Sequence, residues 1–129
     1  AVVAHSLGCI STVQAVRRLA SAGGQLGCLV AVAPFAETLP AIGDPDLDSF
    51  IADGLDDFID IDIELDASPS LRRVEVIRSD NDAIVPIAIS ERFAHALGAA
   101  VHVLPGAGHF LAGEGVATLE SVRDLLTGG

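Results

Sequence analysis

The sequence predicts an α/β fold of three layers, a parallel β-sheet with helices on both faces, and three observations carry that prediction. Short runs of Val, Ile, Leu and Ala alternate with stretches of helical period along the chain. The runs are continuously apolar, as in strands buried on both faces, and turn residues mark most changes of period. Strands that alternate with helices join by right-handed crossovers into a parallel sheet.

The elements follow in order. Residues 1–5 form a β-branched run, and from Gly8 a helical period is carried by Ile10, Val13, Val16 and Leu19 until Gly23 and Gly24 end it. Cys28 to Ala33, bounded by Gly27 and Pro34, reads as the second strand. Residues 37–66 repeat apolar side chains at roughly helical spacing, which predicts one or two amphipathic helices, a helical cap or insertion. Arg73 to Arg78 reads as the third strand, followed by the polar loop Ser79-Asp80-Asn81-Asp82. Pro86 opens a helix with Ile89, Phe93, Ala96 and Leu97 on one face, and Gly98 is its expected C-cap. Ala100 to Leu104 is the fourth strand, Pro105 to His109 a loop, and Val116, Leu119, Val122, Leu125 and Leu126 make the last helix amphipathic.

The length of 129 residues admits one domain, expected over 1–129, and the 50% of hydrophobic residues supply its core. A formal net charge of −11, with no Lys and seven Arg, opposes contact with nucleic acid or with anionic membranes. The apolar runs fall short of the roughly 20 residues that span a bilayer. Cys9 and Cys28 offer neither a disulfide framework nor a zinc spacing, so a cytoplasmic location and no metal are expected. The chain has no Met and opens on a strand with nothing upstream to pair it, which predicts a chain shortened at its N-terminus. Its exposed first strand is the expected route to a homo-oligomer.

In open parallel sheets, reactive groups collect beyond the carboxyl ends of the strands. Ser6, Asp82 and His109 all follow predicted strand ends. Ala4-His5-Ser6-Leu7-Gly8 matches the G-x-S-x-G nucleophile elbow with Ala at the first Gly, and small residues two before and two after the Ser are expected to avoid clashes in a tight turn. A helix that starts behind Ser6 aims its N-terminal N–H groups at a developing oxyanion, and the Leu7 N–H is the expected donor. A hydroxyl needs a base to become a nucleophile, and His109, on the flexible small-residue loop Gly106-Ala107-Gly108, is the candidate. His5, His95 and His102 are read as packing or solvent residues. The acid that orients the base falls between Ser and His in chain order, where Asp80 and Asp82 both qualify. Asp82 is preferred because Asp80 suits a turn cap.

Three segments carry a family resemblance: Val3 to Cys9, Arg78 to Pro86, and Gly106 to Phe110. With their spacing, the chain resembles the small serine hydrolases of the YdeN and retinoblastoma-binding-protein type, within the α/β-hydrolase superfamily. The resemblance aligns Ser6, Asp82 and His109 with the family's triad. It implies an α/β-hydrolase-like fold, a small-molecule ester or amide substrate cleaved through an acyl-enzyme, and no cofactor. It also implies an N-terminal portion, absent from this sequence, with the loop that supplies the second oxyanion donor; without that loop a catalytically weak interaction domain is the alternative. Leu26 to Val30 lacks the Glu of the Leu-x-Cys-x-Glu retinoblastoma-binding motif, so that partner is not expected.

Residues 37–66 contain eleven acidic residues and no basic one. Asp44, Asp46 and Asp48 open like a calcium loop, but Ser49 stands where Gly is needed and Leu55 where a bidentate Glu is needed. An acidic lid that disfavours anionic substrates is the expectation instead.

Overall fold

In the computed structural model, which describes residues 1–111 and 119–127, four strands form one sheet in the order β1 (Val2–His5), β2 (Leu29–Val32), β3 (Val74–Ser79) and β4 (Ala100–Leu104). Every pairing is parallel, with Ala4 beside Ala31, Ala31 beside Val76, and Val76 beside Val101. Spatial order therefore equals chain order. All crossovers advance in one direction, so a common handedness puts the connecting helices on one face of the sheet.

That face is built from Ala4, Leu29, Ala31, Val74 and Val76. Against it pack α1 (Leu7–Ser21) through Cys9, Val13 and Val16, and α5 (Ile87–Leu97) through Phe93, Ala94 and Leu97. The opposite face, with Val30, Val32 and Ile77, is covered by Phe110 and by Val122 of α6 (Glu120–Leu126). Both faces are thus covered, though unequally. The expected start of the last helix at Val116 lies outside the described residues. No helix among the described residues is long and apolar enough to cross a membrane.

The acidic stretch departs from the sequence expectation. Instead of one or two amphipathic helices it forms three short ones, α2 (Pro45–Asp53), α3 (Leu55–Phe58) and α4 (Ile63–Asp66), and a 3-10 turn at Ser68–Ser70. Gly54 separates α2 from α3, and the acids that dilute helix propensity act as local caps. Asp44 Oδ1 accepts from the N–H groups of Asp46 and Leu47, and Asp62 Oδ1 from those of Glu64 and Leu65. Asp48 takes the Ile42 and Gly43 N–H groups at 2.6 and 3.0 Å. Asp44 and Asp48, the first and last acids of the calcium-like opening, are therefore occupied with backbone donors. The segment is also less isolated than its composition implies, because Arg92 clasps Glu37 through two nitrogens and Gln14 donates to the Phe58 carbonyl.

Candidate active site

Ser6 sits between β1 and α1 with φ 55° and ψ −123°, a backbone conformation that L-residues rarely adopt. Such a residue costs about 1–3 kcal/mol and persists only where its surroundings enforce it. Here the Ser6 N–H is held by the Val32 carbonyl at 2.9 Å, and the Ser6 carbonyl receives the Cys9 N–H at 2.9 Å. Ala4 is 7% exposed in the core beneath α1, so its small size is a packing requirement. The expected steric demand at Gly8 is not met. A Cβ there would touch nothing within 4 Å among the described residues, because Gly8 lies on the open side of the first helical turn.

His109 reaches Ser6 across 103 residues of chain: its Nε2 lies 2.8 Å from Ser6 Oγ, and its Nδ1 lies 2.8 Å from Asp82 Oδ2. The side chains of His109 and Asp82 are 6% and 5% exposed. A carboxylate can only accept, so Nδ1 carries the proton, and Nε2 is then the acceptor for the Ser6 hydroxyl. Asp82 Oδ1 meanwhile accepts from the Ile84 and Val85 N–H groups at 2.8 and 2.9 Å. Burial alone would raise the pKa of this carboxyl. The hydrogen bonds from His109, Val85 and Ile84 outweigh burial and hold it below the usual carboxylate range.

The loop that carries His109 is pinned, contrary to the flexibility expected of its small residues. Gly106 N–H donates to Asp80 Oδ1 and Gly108 N–H to Asn81 Oδ1, both at 2.8 Å. The buried Ser79 hydroxyl donates to the Gly108 carbonyl. Gly106 at φ 71° and Gly108 at φ 58° supply the left-handed turns that let each amide meet its partner. Four consecutive residues, Ser79 to Asp82, thus hold the loop from 106 to 109. Asp80, the rival acid, is engaged with Gly106 and is no partner of the imidazole in these contacts.

One contributor escapes the sequence reading. His5, expected to serve packing or solvent contact, donates from Nε2 to the His109 carbonyl at 2.8 Å, and the two rings lie 4.9 Å apart. Its place beside Ser6 was the available signal, but nothing in the sequence shows a bond to backbone 104 residues away. His95 is exposed on α5, and His102 pairs with Glu75 at 2.7 Å on the face that α6 covers.

Leu7 is the first residue of α1, so its N–H lies in the turn whose donors have no acceptor within the helix. Above it opens a cavity of about 130 Å³, in which Ser6 is the one polar residue among the described residues lining it. Phe35 and Leu39 form part of its walls, and Ile42, Leu47 and Phe50 of the acidic segment roof it. No cluster of His, Cys, Asp and Glu suited to a metal occurs among the described residues.

The sequence profile of the serine hydrolase family matches residues 1–128. The chain belongs to the serine hydrolase family. The chain is 35% identical over 125 residues to "Putative hydrolase YdeN" of Bacillus subtilis (strain 168), a match that covers 97% of the chain and 60% of that relative. Its fold is similar to the crystal structure of the ydeN gene product from B. subtilis, with TM-score 0.78 and 32% identity, over 98% of the chain and 62% of the other. The chain thus has an α/β-hydrolase-like fold, and it spans about 60% of the length of the curated relative it matches.

Proposed function

We propose that the protein hydrolyses small neutral esters, and amides more slowly, with Ser6 as nucleophile, His109 as general base and Asp82 as the acid that orients it. The observation that carries this reading is the unbroken relay from Ser6 Oγ through the imidazole to Asp82, with both links at 2.8 Å. A scaffold without turnover has no need of a buried imidazole held between a strained serine and a carboxylate.

In the first step Ser6 Oγ bonds to the acyl carbon while its proton passes to His109 Nε2. The oxyanion lies toward the Leu7 N–H at the positive end of α1. Collapse breaks the bond to the alkoxide or amine, which leaves with the proton from His109, and the acyl group remains on Ser6. Water then gives a proton to His109 and attacks the acyl carbon, and His109 returns that proton to Ser6 as the acid is released. Asp82 stays ionised throughout, consistent with its lowered pKa. Amides are the slower class because an amine is the poorer leaving group.

The test is covalent labelling. A fluorophosphonate should modify Ser6, as located by peptide mass spectrometry, and Ser6→Ala should abolish both labelling and ester hydrolysis. An unlabelled Ser6 in folded protein removes the reading.

A further inference from the structure

We propose that the cavity above Ser6 is the acyl site, and that it selects an unbranched, uncharged acyl chain of about four to six carbons. The inference rests on the hydrolase reading above and adds the substrate class. The cavity reaches the nucleophile itself, since Ser6 and Leu7 are part of its lining. Its remaining described walls are apolar side chains, which offer no partner to a hydroxyl, amide or charge on the acyl group, and burying such a group unpaired is costly.

Size sets the length. An apolar cavity of about 150 Å³ accepts benzene, a six-carbon ligand. The cavity here is about 130 Å³, so a straight chain of about four to six carbons fills it. A shorter chain leaves part of the apolar wall uncovered, and a longer one must thread out past the roof. That roof is fixed. Asp48 holds the Ile42 and Gly43 amides at its edge, and Pro45 and the Asp44 cap start α2 directly behind them. Leu47 and Phe50, on the same helix, are 41% and 36% exposed and gain cover from a bound chain. Asp46, Asp48 and Asp53 of the same helix add a negative field that opposes a chain ending in a carboxylate.

The experiment measures kcat/KM for p-nitrophenyl esters of the two-, four-, six-, eight- and ten-carbon straight-chain acids, with fluorophosphonate labelling of Ser6 run in parallel. Each methylene that enters the cavity is worth about fourfold, so butyrate should exceed acetate by about 10-fold or more. The gain should level off by hexanoate and reverse by decanoate. Ile42→Trp, which fills the roof, should lower the octanoate-to-butyrate ratio by about 10-fold, and Phe50→Ala, which opens it, should raise that ratio. Ratios within one variant are insensitive to the fraction of protein that is folded. A flat series, or a preference for acetate, in protein whose Ser6 is labelled overturns the acyl-site assignment and leaves the hydrolase reading standing. Neither labelling nor turnover of any ester overturns both.

Discussion

Replacing Asp82 by Asn preserves the shape of the side chain and reverses one of its hydrogen bonds. In the native site Oδ1 accepts from two backbone N–H groups, at 2.8 and 2.9 Å, while Oδ2 accepts from His109 Nδ1 at 2.8 Å. An amide nitrogen cannot accept, so in Asp82→Asn the carbonyl oxygen must stay on Ile84 and Val85 and the NH2 group must face the ring. Nδ1 is then forced to be the acceptor, the ring proton moves to Nε2, and Nε2 no longer receives the Ser6 proton. The variant also loses the charge-assisted bond that stabilises the imidazolium, worth about 1.5–3 kcal/mol. With a tautomer penalty of similar size, the barrier rises by about 3–6 kcal/mol, or about 10²- to 10⁴-fold in kcat/KM. The assay is p-nitrophenyl butyrate hydrolysis together with the second-order rate of fluorophosphonate labelling, both at pH 7. The control is Asp80→Asn, whose oxygen can still accept from Gly106. Activity of Asp82→Asn within 10-fold of the parent, or an equal loss in Asp80→Asn, would refute the reasoning.

Three further outcomes follow from the same contacts. Ser6→Gly should melt at a higher temperature than Ser6→Ala, by about 1 kcal/mol in stability, because only Gly adopts φ 55° without strain; the reverse order in thermal melts would show that the turn is not strained. The Cys9 thiol is fully buried and pushed up to about 12 by that burial, whereas Cys28 is half-buried, so a disulfide reagent at pH 8 should titrate one thiol quickly in the native protein and two in urea. Burial works to raise the Glu75 pKa, but hydrogen bonds from His102 and Arg73 hold it below the ordinary carboxylate value. Its stabilisation is therefore complete above the unfolded value of about 4.3 and is lost as pH falls through the lower folded value. Glu75→Gln should be less stable than the parent at pH 7 by about 1–2 kcal/mol, and the gap between their urea midpoints should narrow as pH is lowered below that unfolded value.

The two central strands were legible because their residues are buried on both sides, whereas the edge strands β1 and β4 are apolar but largely exposed or half-buried. Leu29 to Val32 and Val74 to Ile77 read as apolar runs except for Glu75, and Glu75 is tolerated because Arg73 and His102 reach it. Ser6, Asp82 and His109 stand out in the sequence because each follows a strand end, and of the two candidate carboxylates Asp82 lies against the imidazole while Asp80 holds the Gly106 amide. The acidic segment was less so. Its apolar side chains recur at helical spacing through Gly54 and through the break from Ile59 to Asp62, and spacing alone does not show where a cap restarts the helix. Bonds between side chains and distant backbone left no trace either. The partners of Asp80, Asn81 and His5 depend on how two loops meet above the sheet, which no local pattern encodes.

A sheet whose spatial order repeats its chain order can be laid down from one end, each new strand docking on the one made just before it. Ser6 then leaves the ribosome 103 residues ahead of His109. Until the loop after the last strand is in place, the Ser6 hydroxyl has no imidazole beside it, so the contact that the proposed mechanism depends on is among the last to form.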